Sequence, residues 1–178
     1  MSLIFALMGL IVLLLGQRLF WLALGALAWV WGMNFLGHPL EDLGEGVVLL
    51  IAVVLAVVAG VIGRSRNPTS VAIAGFLSGS LMVSLLAELV GVDLGTAFWP
   101  VVAIAGVLGI LVSLRVRPMA LILLFSLCGA LIIPISFELQ RQGGPTGWLL
   151  FIVLAVVGFL VQTRVLRTPA STGNIGAA

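Results

Sequence analysis

Val47-Val48-Leu49-Leu50-Ile51-Ala52-Val53-Val54-Leu55-Ala56-Val57-Val58-Ala59-Gly60-Val61-Ile62 carries no polar side chain at any position. A half-buried strand would alternate in polarity and an amphipathic helix would show a polar stripe, and this segment does neither. With Gly46 and Gly63 it reaches the roughly 18 residues that mark a membrane-crossing helix. Val101–Val112 reads the same way. A transmembrane barrel needs alternating polarity, so helices are the remaining way to satisfy the backbone inside lipid.

Working outward, apolar runs bounded by charge, Gly or Pro divide the chain into spans at about 2–17, 19–37, 46–63, 70–90, 96–114, 118–137 and 146–163. The composition agrees: of 178 residues 62% are hydrophobic and 8% charged, with mean hydropathy +1.36. A soluble domain carries about 25% charged residues. The expected fold is therefore all-α, a polytopic membrane bundle of seven helices forming one domain over residues 1–167, with a flexible cytoplasmic tail at 168–178. Residues 2–17 are short for a crossing. They lack the basic start and small-residue cleavage pattern of a secretory signal, and read as a retained span or, alternatively, a re-entrant segment.

Charge sets the expected orientation. Arg18, Arg64, Arg66, Arg115, Arg117, Arg164 and Arg167 fall on one side of a seven-span layout, whereas Arg141 and all six acids fall on the other. Short loops rich in basic residues stay in the cytoplasm, which puts the amino terminus outside, the carboxyl terminus inside, and the chain in the inner (plasma) membrane. Trp21, Trp99 and Trp148 stand at span ends, where an indole meets the headgroups.

Helix association in lipid depends on close packing of small residues. Pairs four apart include Ala28/Gly32, Ala56/Gly60, Ala59/Gly63, Gly75/Gly79, Ala105/Gly109 and Ser126/Ala130. Gly75, Gly79, Gly60, Gly63 and Gly109 are the candidate packing positions, within the chain or between subunits. Ser78 and Ser80 lie beside the Gly75/Gly79 pair, where they can bond to nearby carbonyls. Pro134 should free the Ala130 carbonyl and kink the sixth span. Pro68 and Pro118 suit helix starts. Arginine turns at residues 16–18, 63–66 and 114–117 outline three helical hairpins in parallel repeat, with the seventh span alone.

Chemistry is sparse. Glu88, flanked by apolar residues near the outer end of the fourth span, is the foremost polar candidate, read either as an interfacial group or as part of a solute pathway with Ser84 and Glu138. Glu138 can pair with Arg141 three residues on. His38, Glu41 and Glu45 have ligand-like spacing, but Pro39 and Gly44-Glu45-Gly46 break the helix that would align them, so they read as a hydrated loop and no metal is expected. Cys128 reads as a packing residue. No catalytic constellation, cofactor motif or basic stripe for nucleic acid stands out, which argues against an enzyme and leaves lipids, other membrane subunits or self-association as partners. The expected role is structural or accessory, with a small-solute channel or transporter as the alternative.

Leu13-Leu14-Leu15-Gly16-Gln17-Arg18-Leu19-Phe20-Trp21, through to Gly25 and Gly32, resembles the opening of the small seven-helix membrane family that includes transmembrane protein 198. Gly16, Arg18, Leu19 and Phe20 match its Gly-x-Arg-hydrophobic-Phe turn, over about 20 residues of motif. The resemblance implies seven spans and an outside amino terminus. It implies no reaction and carries no residue role.

Overall fold

A backbone surrounded by apolar side chains must close its own hydrogen bonds, and the computed structural model does so entirely in helices. The structure describes residues 2–16, 19–36, 44–65, 67–115, 119–137 and 146–167. Among them run α1 (Ser2–Leu15), α2 (Phe20–Leu36), α3 (Glu45–Arg64), α4 (Pro68–Val90), α5 (Phe98–Arg115), α6 (Met119–Ser136) and α7 (Thr146–Arg167), with a 3-10 turn at Gly95–Ala97 before α5. α3, α4, α5, α6 and α7 are long and apolar enough to cross a membrane; α1 and α2 are apolar but shorter. The tail at 168–178, His38, Glu41, Pro118, Glu138 and Arg141 lie outside the described residues.

Local chemistry explains the ends. Pro68 opens α4 where a missing N–H costs nothing, and Ser70 donates its hydroxyl back to the Asn67 carbonyl at 2.7 Å. At the other end Gly91 adopts φ 73°, and its N–H and that of Val92 bond to the carbonyls of Glu88 and Ala87. This left-handed closure satisfies carbonyls that the helix cannot, and glycine is the residue that adopts it freely. α7 continues to Arg167, past the expected end at 163, because arginine marks the edge of the apolar layer rather than the end of a helix.

α1, α2, α4 and α6 form an inner ring in which each packs on the next: α1 on α2, α2 on α4, α4 on α6, and α6 on α1. α3 lies outside against α2, α5 against α4, and α7 against α6 and α1. Burial follows this division. In a membrane-length window, 61% of α4 and 67% of α6 is buried, against 28% of α3, 22% of α5 and 17% of α7. Phe125, Leu27, Leu81, Leu131 and Val12 are fully enclosed in the core.

The expected hairpin pairing is corrected here. α3 with α4, and α5 with α6, neighbours in sequence across an arginine-bearing connection, touch little; the extensively packed pairs are α4 with α5, α2 with α3, α1 with α6, and α6 with α7. Closeness in sequence does not decide which helices pack along their length. That depends on where the small residues face, and those of α4 face α5.

Candidate functional site

That small-residue seam is tight. A Cβ at Gly75 would lie 2.5 Å from the Gly109 carbonyl oxygen and 2.6 Å from Ser113 Oγ, and one at Gly79 would lie 2.5 Å from the Ala105 carbonyl oxygen. Gly75, Gly79 and Gly109 therefore meet within the chain. Gly60 and Gly63 face the Trp21 backbone on α2. A close approach that four-residue spacing did not flag joins α1 to α6, where a Cβ at Gly129 would lie 2.7 Å from the Gly9 carbonyl oxygen. Gly129 has Phe125 and Ile133 as its neighbours four residues away, so no small-residue pair announces it.

Polar side chains stitch the ring together. Trp31 donates its indole N–H to Ser80 Oγ at 3.0 Å, joining α2 to α4. Ser78 donates to the Ala74 carbonyl at 2.7 Å, and Cys128 Sγ on α6 reaches the Ser78 carbonyl at 3.1 Å. Gln162 on α7 is buried and donates through Nε2 to the carbonyls of Val12 (3.2 Å) and Leu13 (2.7 Å). Those two belong to the last turn of α1, whose carbonyls have no acceptor role within the helix. Pro134 sits two residues before the end of α6, and in that last turn Ser136 donates to the Ile132 carbonyl at 2.6 Å.

At the end of the ring that carries Glu88, Asn34 on α2, Glu88 on α4 and Ser136 on α6 line a vestibule of about 270 Å³, with Phe5 on α1 at its side and Leu85 and Ile132 among its apolar walls. Glu88 is exposed at its mouth, and Ser84 is buried one turn deeper in α4. Glu138, the third expected member, lies outside the described residues. A carboxylate, an amide and a hydroxyl converging above an apolar wall can hold a small hydrogen-bond donor or a hydrated cation. Asn34 and Ser136 escaped the sequence reading as a set because they come from three separate helices with Glu88 and share no spacing. Beyond the vestibule the core is filled by enclosed Leu81 and Leu131.

The basic residues stand elsewhere. Arg64 and Arg115 are exposed in the last turns of α3 and α5, and Arg164 is exposed near the end of α7, whose final residue is Arg167. Cations there complement the negative end of the helix dipole. Arg18, Arg66 and Arg117 lie outside the described residues. Among the described residues, no group of three or more His, Cys, Asp or Glu converges.

Compared with known protein families, curated proteins and solved structures, the chain matches none. Its class rests on its own architecture: an apolar helical bundle of the integral-membrane kind.

Proposed function

We propose that the chain crosses the inner (plasma) membrane seven times, amino terminus outside and carboxyl terminus cytoplasmic, and serves there as a non-catalytic structural or accessory subunit. The observation that carries this reading is the contrast between a filled ring and three outer helices with apolar exposed faces. Val57 and Val61 on α3, Ile104 and Leu111 on α5, and Leu149 and Val153 on α7 are each more than half exposed. Those faces meet lipid, other membrane subunits or a second copy. Seven crossings require α1, about 21 Å long at 1.5 Å per residue, to cross where the bilayer is locally thinned. The turn at Gly16 and Phe20, with its resemblance to the seven-helix family, supports the same count.

Photo-crosslinkers at Val57, Ile104 and Val153 in intact membranes test the role. Defined protein adducts are expected on at least one face; adducts with lipid alone on all three would remove it. Sidedness is tested separately with Ser65→Cys and Gly95→Cys, where labelling of Ser65→Cys from outside intact cells would invert the orientation.

The vestibule favours a second reading, a channel or transporter for a small solute entering past Glu88. Flux in proteoliposomes that is lost in Glu88→Gln supports it, and no flux across a broad solute panel counts against it.

A further inference from the structure

α1 and α3 both pack on α2 but share no packed interface with each other, and the space between them is a groove of about 610 Å³. Its floor is the face of α2 carrying Trp21, Gly25 and Trp29, and its walls include Met8 on α1 and Val57 on α3. At one end stands Arg64, and Trp21 in the same lining is 48% exposed. The α3 lining runs from Val53 to Arg64, about 16 Å at 1.5 Å per residue. That is half of a hydrocarbon core of roughly 30 Å, the depth of one leaflet.

Among the described residues no acidic side chain pairs with the charge at the groove's end. By sequence all six acidic residues belong to the opposite end of the layout: Glu45 begins the helix that Arg64 ends, Glu88 lies in the last turn of α4 and Asp93 just after it, and Glu41, Asp42 and Glu138 fall in the connections on that side. Exposed at this end, Arg64 is open to an anion from outside the helices. A partner helix, about 10 Å across, is wider than one acyl chain and brings no phosphate to Arg64. A single acyl chain is narrow enough, and a headgroup phosphate at its end would reach the guanidinium.

We propose that this groove is a binding site for an anionic glycerophospholipid of the leaflet on the arginine side, with one acyl chain along Gly25 and Trp29 and the phosphate on Arg64. The site rests only on the bundle lying in a bilayer and is independent of the accessory or transport role. The test is native mass spectrometry of the full chain in a neutral detergent, with phosphatidylglycerol and phosphatidylcholine of identical chains added in equal amounts. One retained lipid is expected, with phosphatidylglycerol favoured about fivefold, the preference one Lys or Arg typically contributes at an anionic surface. Arg64→Gln should abolish the preference and leave chain binding in place. Val57→Trp, at a wall position 60% exposed, should fill the groove and remove the retained lipid without loss of helicity. Headgroup selectivity that survives Arg64→Gln, lipid retention that survives Val57→Trp, or displacement of the lipid by soluble glycerol phosphate would each overturn the proposal.

Discussion

Gly75→Ala should open the seam between α4 and α5. The added methyl would sit 2.5 Å from the Gly109 carbonyl oxygen and 2.8 Å from its carbon, both backbone atoms that cannot rotate away. Moving from 2.5 Å to the 3.4 Å of ordinary contact requires α5 to retreat by about 0.9 Å. A gap of 0.5–1 Å already forfeits roughly a quarter to a half of each dispersion well, and in lipid there is little hydrophobic drive to compensate. Overpacking costs about 1–3 kcal/mol, and an unyielding backbone puts this case near the top of that range. Alanine returns about 1 kcal/mol through helix propensity. The net loss is about 2 kcal/mol, or roughly 30-fold in the unfolding equilibrium at about 1.4 kcal/mol per tenfold. Reversible unfolding in bicelles measures it, with Gly46→Ala as control, because a Cβ at Gly46 meets nothing within 4 Å. If Gly75→Ala matched the wild type to within about 0.5 kcal/mol, the seam would be looser than described and the reasoning would fail.

Four further outcomes follow from the polar contacts and from burial. Gln162→Leu should cost about 1 kcal/mol, since interhelical hydrogen bonds in membranes average roughly 0.6 kcal/mol each and the substitution also removes Oε1, a buried acceptor with no partner among the described residues. Gln162→Glu, assayed at a pH high enough to ionise it, should be about 2 kcal/mol worse than Gln162→Leu, because a carboxylate offers no donor to the Val12 and Leu13 carbonyls. A double-mutant cycle on Trp31→Phe and Ser80→Ala should return a coupling of about 0.6 kcal/mol, and zero coupling would show the bond to be absent. Cys128, fully buried, should resist a membrane-permeant maleimide in the folded protein and react after transfer to SDS; equal rates in both states would contradict its enclosure.

The helices were legible because most end where their apolar runs do, α7 with its continuation to Arg167 being the exception. The expected 46–63 became Glu45–Arg64, and 96–114 became Phe98–Arg115 after a 3-10 turn. Pairing was not legible, because a turn at Arg64 or Arg115 says nothing about which face of the next helix carries its small residues. Gln162 stands one residue before the expected span end at 163, and it is buried because short α1 finishes beside it and leaves carbonyls to be met. The vestibule was half legible: Glu88 announces itself as a carboxylate among leucines, whereas Asn34 and Ser136 become partners only when three helices converge.

The division into ring and outer helices has a sequence correlate that reading each span separately obscures. A helix in the ring must meet several neighbours closely, and α4 does so on three faces: Gly75 and Gly79 toward α5, Ser80 toward Trp31 on α2, and Ser78 toward Cys128 on α6. α3 needs one such face, the one with Ala52 and Ala56 against α2, and fills the rest with valine and leucine. Lipid tails are as apolar as those side chains, so a partner gains little by displacing them. Contacts made by α3, α5 and α7 should therefore be individually weak and easily replaced by detergent. If the protein is an accessory subunit, its complex is one to be trapped in the intact membrane, because extraction would substitute detergent for the partner at nearly equal free energy.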